Sequence, residues 1–236
     1  MYLESFEAIT RNQAPLSGGL IDELLPFWAR YFDELYGDFY KELQGSEINY
    51  NTENIYIMRA KNKLAGILRM TVSKSNPELA GIGLVATEKS FRGQGVATTI
   101  CRGAVADFEK EGGQCLFLVA DKPGPRRIYH RLGWRKQGGT DVMSLITSGD
   151  SPEEFLADYF RVGGQTTIHP GSPRDRVPMM PLHVTPHDWQ VLDANVGEFS
   201  TRYWSGQMCN TVYPAYEQLT STGKGLWFSA YSDTNR

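Results

Sequence analysis

Ser90-Phe91-Arg92-Gly93-Gln94-Gly95-Val96-Ala97 lies between two stretches of opposite character. Before it, Gly81-Ile82-Gly83-Leu84-Val85-Ala86-Thr87 is aliphatic and uncharged, the pattern of a buried strand. After it, Thr98 to Glu111 has helical spacing and ends at Gly112-Gly113. A strand, a glycine turn and a helix start point several backbone N–H groups at one place. The first helical turn has no internal acceptor for those donors, and the helix dipole adds partial positive charge. A pyrophosphate is the natural occupant. Gly93 and Gly95 carry no Cβ to hold a phosphate off, and Arg92 adds a fixed charge. Short glycine strings also occur in ordinary turns, so this one acquires meaning only from a second motif.

That motif follows about thirty residues on. Cys115 to Ala120 is another apolar strand, running into Asp121-Lys122-Pro123-Gly124-Pro125 and then Arg126-Arg127-Ile128-Tyr129-His130-Arg131-Leu132-Gly133-Trp134. The order is strand, phosphate turn, long helix, strand, then a short helix ending in Tyr-x-x-Leu-Gly-Trp. Residues 1–148 so resemble the GNAT superfamily of acyl-CoA-dependent N-acyltransferases. The resemblance implies an α/β fold with a mixed, mostly antiparallel central sheet flanked by helices. It places acyl-CoA, most simply acetyl-CoA, with its pyrophosphate on Arg92, Gly93, Gln94, Gly95, Val96, Ala97 and Thr98, and its pantetheine arm along the splayed strand end Val85, Ala86 and Thr87. It makes Tyr129 the residue that protonates the departing sulfur. One departure is visible. Family members often carry an asparagine in the loop after the second strand, and Asp121 to Pro125 contains none.

At 236 residues the chain has room for one large domain, or for one ordinary domain and part of a second. Hydrophobic residues at 41% and charged residues at 22% fit a soluble globular protein. No uncharged apolar run approaches the ~18–20 residues of a membrane span, and the acidic start Met-Tyr-Leu-Glu is unlike a signal peptide. Cys101, Cys115 and Cys209 are odd in number and far apart, which favours buried free thiols and a cytoplasmic location. His169, His183 and His187 lack ligand spacing, so no metal is expected.

Charge is unevenly spread. Residues 1–60 hold four basic against ten acidic side chains, and residues 89–136 hold ten basic against four acidic, balances of −6 and +6. The first could face a cationic acceptor and the second an anionic co-substrate. Nucleic acid is a poor partner, since no basic run is interleaved with aromatics.

Leu20 to Tyr36 has the spacing of an amphipathic helix, and Asp38 to Leu43 that of a shorter one ending at Gly45. By resemblance these cover the acceptor site, and Trp28, Tyr31 and Tyr36 are candidates for its lining. Asn54–Arg59 and Leu64–Val72 read as a hairpin whose second strand is half-buried, and Asp141–Ile146 as the last core strand. Residues 149–236 form an α+β extension, read as an incomplete second GNAT-like half. In it Glu153–Arg161 and Tyr213–Leu219 read as helices, Thr185-Pro186-His187 as a helix start, Leu226–Tyr231 as a strand, and 163–181 as irregular. The extension is expected to shape the acceptor side or a subunit contact, such as a homodimer, and not to be needed for CoA binding.

The activity these residues imply is direct acyl transfer to an amine of a small molecule or peptide. Glu47, Glu78 and Glu88 are the candidate bases. Two rivals remain: a GNAT-like malonyl-CoA decarboxylase or S-acyltransferase of a biosynthetic pathway, and a CoA-binding regulatory module without catalysis.

Overall fold

The structure is a computed structural model that describes residues 6–32, 39–147, 149, 151–161, 164–185, 190–200 and 212–233. Its organising element is a sheet that begins with β1 (Thr10–Gln13), β2 (Asn51–Ala60), β3 (Lys63–Ser73) and β4 (Leu79–Thr87), each antiparallel to its neighbour. It continues through β5 (Cys115–Val119), then β7 (Val142–Ile146), with the two-residue β6 (Arg135–Lys136) outside it. Among the described residues β4–β5 is the one parallel pair of this sheet. That pairing spans only Leu79↔Cys115, Ala80↔Leu116 and Gly81↔Phe117. Beyond Gly81 the strands part, and the rest of β4 stays with β3 alone. The fold is therefore mixed α/β with a mostly antiparallel sheet, as the motifs imply.

Both faces of the sheet are covered, because successive strand residues point to opposite sides. On one face lies α3 (Val96–Lys110), which buries Val96, Ile100, Cys101, Ala104 and Phe108 at spacings of three and four against Leu68, Met70, Ala80, Ile82 and Leu116. Gly66 lets it settle closely, since a Cβ there would come within 2.5 Å of Val96 Cγ1. On the other face α1 (Gly18–Ala29) and α2 (Phe39–Leu43) pack Ile21, Leu24, Phe27, Trp28, Phe39 and Leu43 on Ile55, Ile57 and Ile67. Each large apolar side chain so buried stabilises the fold by roughly 1.5–3 kcal/mol. Coverage on both sides explains why β3 is buried along most of its length and not half-buried as its alternation suggested. α1 ends at Ala29, short of the helix read through Tyr36; that tyrosine and Asp38 lie outside the described residues. α4 (Pro123–Arg131) follows β5 and carries Tyr129 into the α3-side core.

The extension is bound into the sheet. α5 (Pro152–Tyr159) and α6 (Arg176–Val184) bury Leu156, Tyr159, Val177 and Met180 on Leu79, Cys115, Phe117 and Val142. The stretch read as irregular in fact contains β8 (Thr166–Pro170) and α6. α7 (Val212–Ser221) and β11 (Phe228–Ser232) appear where a helix and a strand were read, β11 pairing with β8. β9 (Val191–Asp193) and β10 (Glu198–Ser200) form a further hairpin. The helix start at Pro186 and His187, and Cys209, lie outside the described residues. His169 packs edge-on to Tyr231 at 5.9 Å, while His183 Nδ1 lies 2.7 Å from the Met179 carbonyl.

Candidate active site

The turn and the strand end meet where β4 and β5 separate. Lys89–Phe91 form a single 3-10 turn, capped by the Glu88 carboxylate, which accepts from the Lys89 N–H at 2.7 Å. Gly93 and Gly95 then take φ of +75° and +85°, a conformation that side chains with a Cβ disfavour. A Cβ at either would meet nothing within 4 Å, so open space lies over both. Gly95 is the N-cap of α3, and the first helical bond runs from Thr99 N–H to the Gly95 carbonyl at 2.9 Å. The N–H groups of Val96, Ala97 and Thr98 precede that bond and have no acceptor within the helix. Val96 itself is anchored in the core by its side chain.

Arg92 is exposed, its Nε donating to the Thr87 carbonyl at 3.3 Å and its guanidinium lying 5.4 Å from the Tyr31 ring. Gln94 Nε2 donates to the Ser90 carbonyl at 3.2 Å. The Tyr31 hydroxyl accepts from Lys89 N–H at 3.3 Å, so the segment just after α1 rests on the glycine turn. A groove of about 1090 Å³ opens beside it, walled by Phe27 of α1 and Arg30 just after it, Lys61 to Leu64 of the β2–β3 hairpin, Glu88, and Ser90 to Gln94.

The strand end is irregular in a useful way. Arg69 pairs with Gly83 and Ile67 with Ala86, so Leu84 and Val85 together face only Leu68, a β-bulge. Leu84 has φ +51°, and its carbonyl accepts from Trp28 Nε1 at 2.7 Å. Glu88 N–H donates to the Ala65 carbonyl at 2.9 Å. Hydrogen-bonding direction alternates along an antiparallel strand, so Ala86 turns to β3 while Val85 and Thr87 turn to the edge that β5 has left. Of the three strand residues proposed for the pantetheine arm, two therefore offer backbone groups to the gap. Ala86 instead packs its methyl under α1.

Tyr129 is 7% exposed and packs edge-on against Trp134 at 5.8 Å. Trp134 is brought back by a tight turn in which its N–H donates to the Tyr129 carbonyl at 3.1 Å, a local reason for the Tyr-x-x-Leu-Gly-Trp spacing. Burial, with a smaller contribution from Cys101, pushes the Tyr129 phenol well above its ordinary value. The neighbouring Trp134 Nε1 is buried with no hydrogen-bond partner among the described residues. His130 is exposed and faces elsewhere. Where the family often has asparagine, Arg126 reaches back from α4 to the Ala120 carbonyl at 2.9 Å and to Asp141 at 2.7 Å, holding the β5–α4 loop.

Part of the acidic surplus of residues 1–60 is consumed inside the protein, at Glu42, Glu47 and Glu53, while Glu23 is paired at the surface. Glu23 pairs with Arg59 at 2.6 Å, and Glu53 with Arg69 at 2.7 Å. Glu42 lies between Arg69 and Arg176, at 2.5 Å and 2.7 Å, and Glu47 pairs with Arg176 at 2.5 Å. Of the candidate bases, Glu47 is thus sealed behind Arg176, Glu78 sits at the far end of β4, and Glu88 pairs with Arg30 at 2.8 Å. Of the three, Glu88 lies just past Thr87 and lines the groove. Trp28 and Tyr31, read from the sequence as candidate lining, act here through the Leu84 carbonyl and the Lys89 N–H, while the left-handed Leu84 and the loop-holding Arg126 are evident only from tertiary contacts.

Residues 29–146, half of the chain, match the acetyltransferase (GNAT) domain. The match ends where β7 ends. Among solved structures, an acyl-CoA N-acyltransferase from Pseudomonas aeruginosa is 17% identical over 59% of this chain and 99% of its own, with a TM-score of 0.49. The ribosomal-protein-S18-alanine N-acetyltransferase from Escherichia coli is 14% identical over 60% of this chain and 97% of its own, at 0.46. Ard1 from Thermoplasma volcanium is 16% identical over 61% and 100%, also at 0.46. No curated protein matches the chain. Among the described residues, no helix is long and apolar enough to cross a membrane.

Proposed function

The chain belongs to the GNAT acetyltransferase family, and from that premise we propose that it passes an acyl group, acetyl above all, from acyl-CoA directly to an amine of a small molecule or peptide. One observation carries this: the backbone edge left open past Gly81 runs to an open glycine cradle at the start of α3. The co-substrate fits this arrangement. Its pyrophosphate would take the N–H groups at Gly95 to Thr98, with Arg92 beside them. Its pantetheine amides would pair with Val85 and Thr87 as a short extra strand.

Most of the rate would come from holding amine and thioester in line. The Val85 N–H, aimed into the gap, would polarise the thioester carbonyl. The amine attacks the carbonyl carbon, the C–S bond breaks as Tyr129 gives its proton to the sulfur, and the proton shed by the new amide nitrogen passes to solvent, which restores the Tyr129 hydroxyl. Because burial keeps the Tyr129 phenol protonated, it introduces no fall in activity near its ordinary pKa of about 10. Rate should therefore rise with pH as the acceptor amine loses its proton, then level off. A falling limb between pH 7 and 9 would contradict the assignment.

CoA release from acetyl-CoA and malonyl-CoA, measured against a panel of amines, tests the proposal. Amine-dependent release from acetyl-CoA is expected. Release of carbon dioxide from malonyl-CoA without an amine would overturn it. Gly95→Val tests the cradle separately, for a branched side chain would occupy the space above the donors and strain a left-handed residue. Calorimetry should show CoA affinity falling at least tenfold in a variant that still folds; unchanged affinity would displace the phosphate site.

A further inference from the structure

We propose that Trp28 is a positioning residue for acyl transfer: its indole N–H fixes the peptide between Leu84 and Val85, and so aims the Val85 N–H into the gap between β4 and β5. This rests on the acyl-CoA reading of that gap.

The backbone at this point would not hold itself. Leucine at φ +51° has neither the freedom of glycine nor the local hydrogen bonding of asparagine, so the backbone there is strained. The β3 ladder gives no support either, since Leu84 and Val85 have no partner of their own on it. The described partner of the Leu84 carbonyl is Trp28 Nε1, at 2.7 Å. Trp28 is fully buried and wedged edge-on against Phe39 at 5.0 Å, so the indole has little freedom to follow a wandering strand. Its N–H would also lie buried and unsatisfied if the carbonyl turned away, which opposes that turn.

Peptide geometry supplies the remaining step. In a planar trans peptide the C=O and the next N–H point in opposite directions. A Leu84 carbonyl held on α1 therefore sets the Val85 N–H away from α1, at the place where β5 has withdrawn. The indole never touches the thioester. It acts through one peptide plane.

The test separates the hydrogen bond from the packing. Trp28→Phe deletes the N–H but trims the ring; β-(3-benzothienyl)alanine at position 28 keeps both rings and puts sulfur where the N–H was. Each protein is loaded with [1-13C]acetyl-CoA, and the thioester carbonyl stretch is read by isotope-edited infrared spectroscopy. In the parent the band should lie below its value in free acetyl-CoA, as hydrogen bonding polarises the carbonyl. In both variants it should move back toward the free value, with kcat down roughly tenfold, less than the ~10²-fold for losing such a donor outright. KM for acetyl-CoA should change little. Adding Leu84→Gly, which makes the left-handed conformation cheap, should restore part of the shift. An unchanged band and unchanged kcat in the benzothienyl protein would reduce Trp28 to packing and overturn the proposal. A parent that binds no acetyl-CoA by calorimetry would instead overturn the acyl-CoA reading beneath it.

Discussion

Arg176→Met should lower the stability of the folded chain by about 3 kcal/mol, read as a shift of the urea midpoint at unchanged slope. Arg176 comes from α6 yet lies against Glu42 of α2 and Glu47 ahead of β2, with Nε 2.8 Å from Glu47 Oε2. Its side chain is 14% exposed, and those of Glu42 and Glu47 are 5% and 6%. Taking one partner from a buried ion pair typically costs 3–5 kcal/mol, because the other charge stays in a poorly polarisable site. The low end applies here, since Arg69 still faces Glu42. Replacing Glu42 and Glu47 by Gln in the same background should recover much of the loss. A midpoint that does not move in Arg176→Met would mean that water reaches the cluster. The direction with pH follows from Glu42. Burial alone would raise its carboxyl, but Arg69 and Arg176 outweigh burial and hold it below the ordinary value. Its contribution is therefore complete at neutral pH and is lost as the pH falls through that lowered value.

Removing residues after Gly149 should be more damaging still, because it takes Arg176 and also uncovers Leu79, Cys115 and Phe117. The extension is then required for a folded chain, whatever its part in CoA binding.

The second large effect concerns turnover. Tyr129→Phe keeps the ring against Trp134 and removes only the hydroxyl. Turnover should drop on the order of 10²-fold, the low end for general acid–base catalysis, with little change in CoA affinity. A thiol has a pKa of about 8.5, so thiolate is a tolerable leaving group and the loss should not be total. Unchanged turnover under conditions where chemistry limits the rate would pass the proton to water or another group.

The sequence carried the centre of the fold well, for physical reasons. The glycine turn, the helix behind it and the second motif all depend on local rules: spacing, capping and the absence of a Cβ. β1 was invisible because Thr-Arg-Asn-Gln has no apolar residue, and only its ladder to Ile57, Tyr56, Ile55 and Asn54 makes it a strand. α6 was hidden by its prolines. Pro178 falls in the first turn, where no N–H is needed, and Pro181 is tolerated within a helix that buries Val177 and Met180. Local pattern likewise gave no warning of the left-handed leucine, whose conformation depends on a tryptophan 56 positions away. Charge counted along a chain likewise does not say which carboxylates find an arginine inside, as Glu42, Glu47 and Glu53 do.

The short seam between β4 and β5 has a mechanical consequence. Two rigid half-sheets joined over three residue pairs behave as the arms of a wedge, and the width at the open end depends on the angle at the vertex. Leu79, Cys115 and Phe117 flank that vertex, and α5 and α6 lie directly across them. The C-terminal extension thus braces the joint from which the two strands diverge. A substitution such as Met180→Ala, made well away from any motif, would change the gape between them before it changed any residue that lines it.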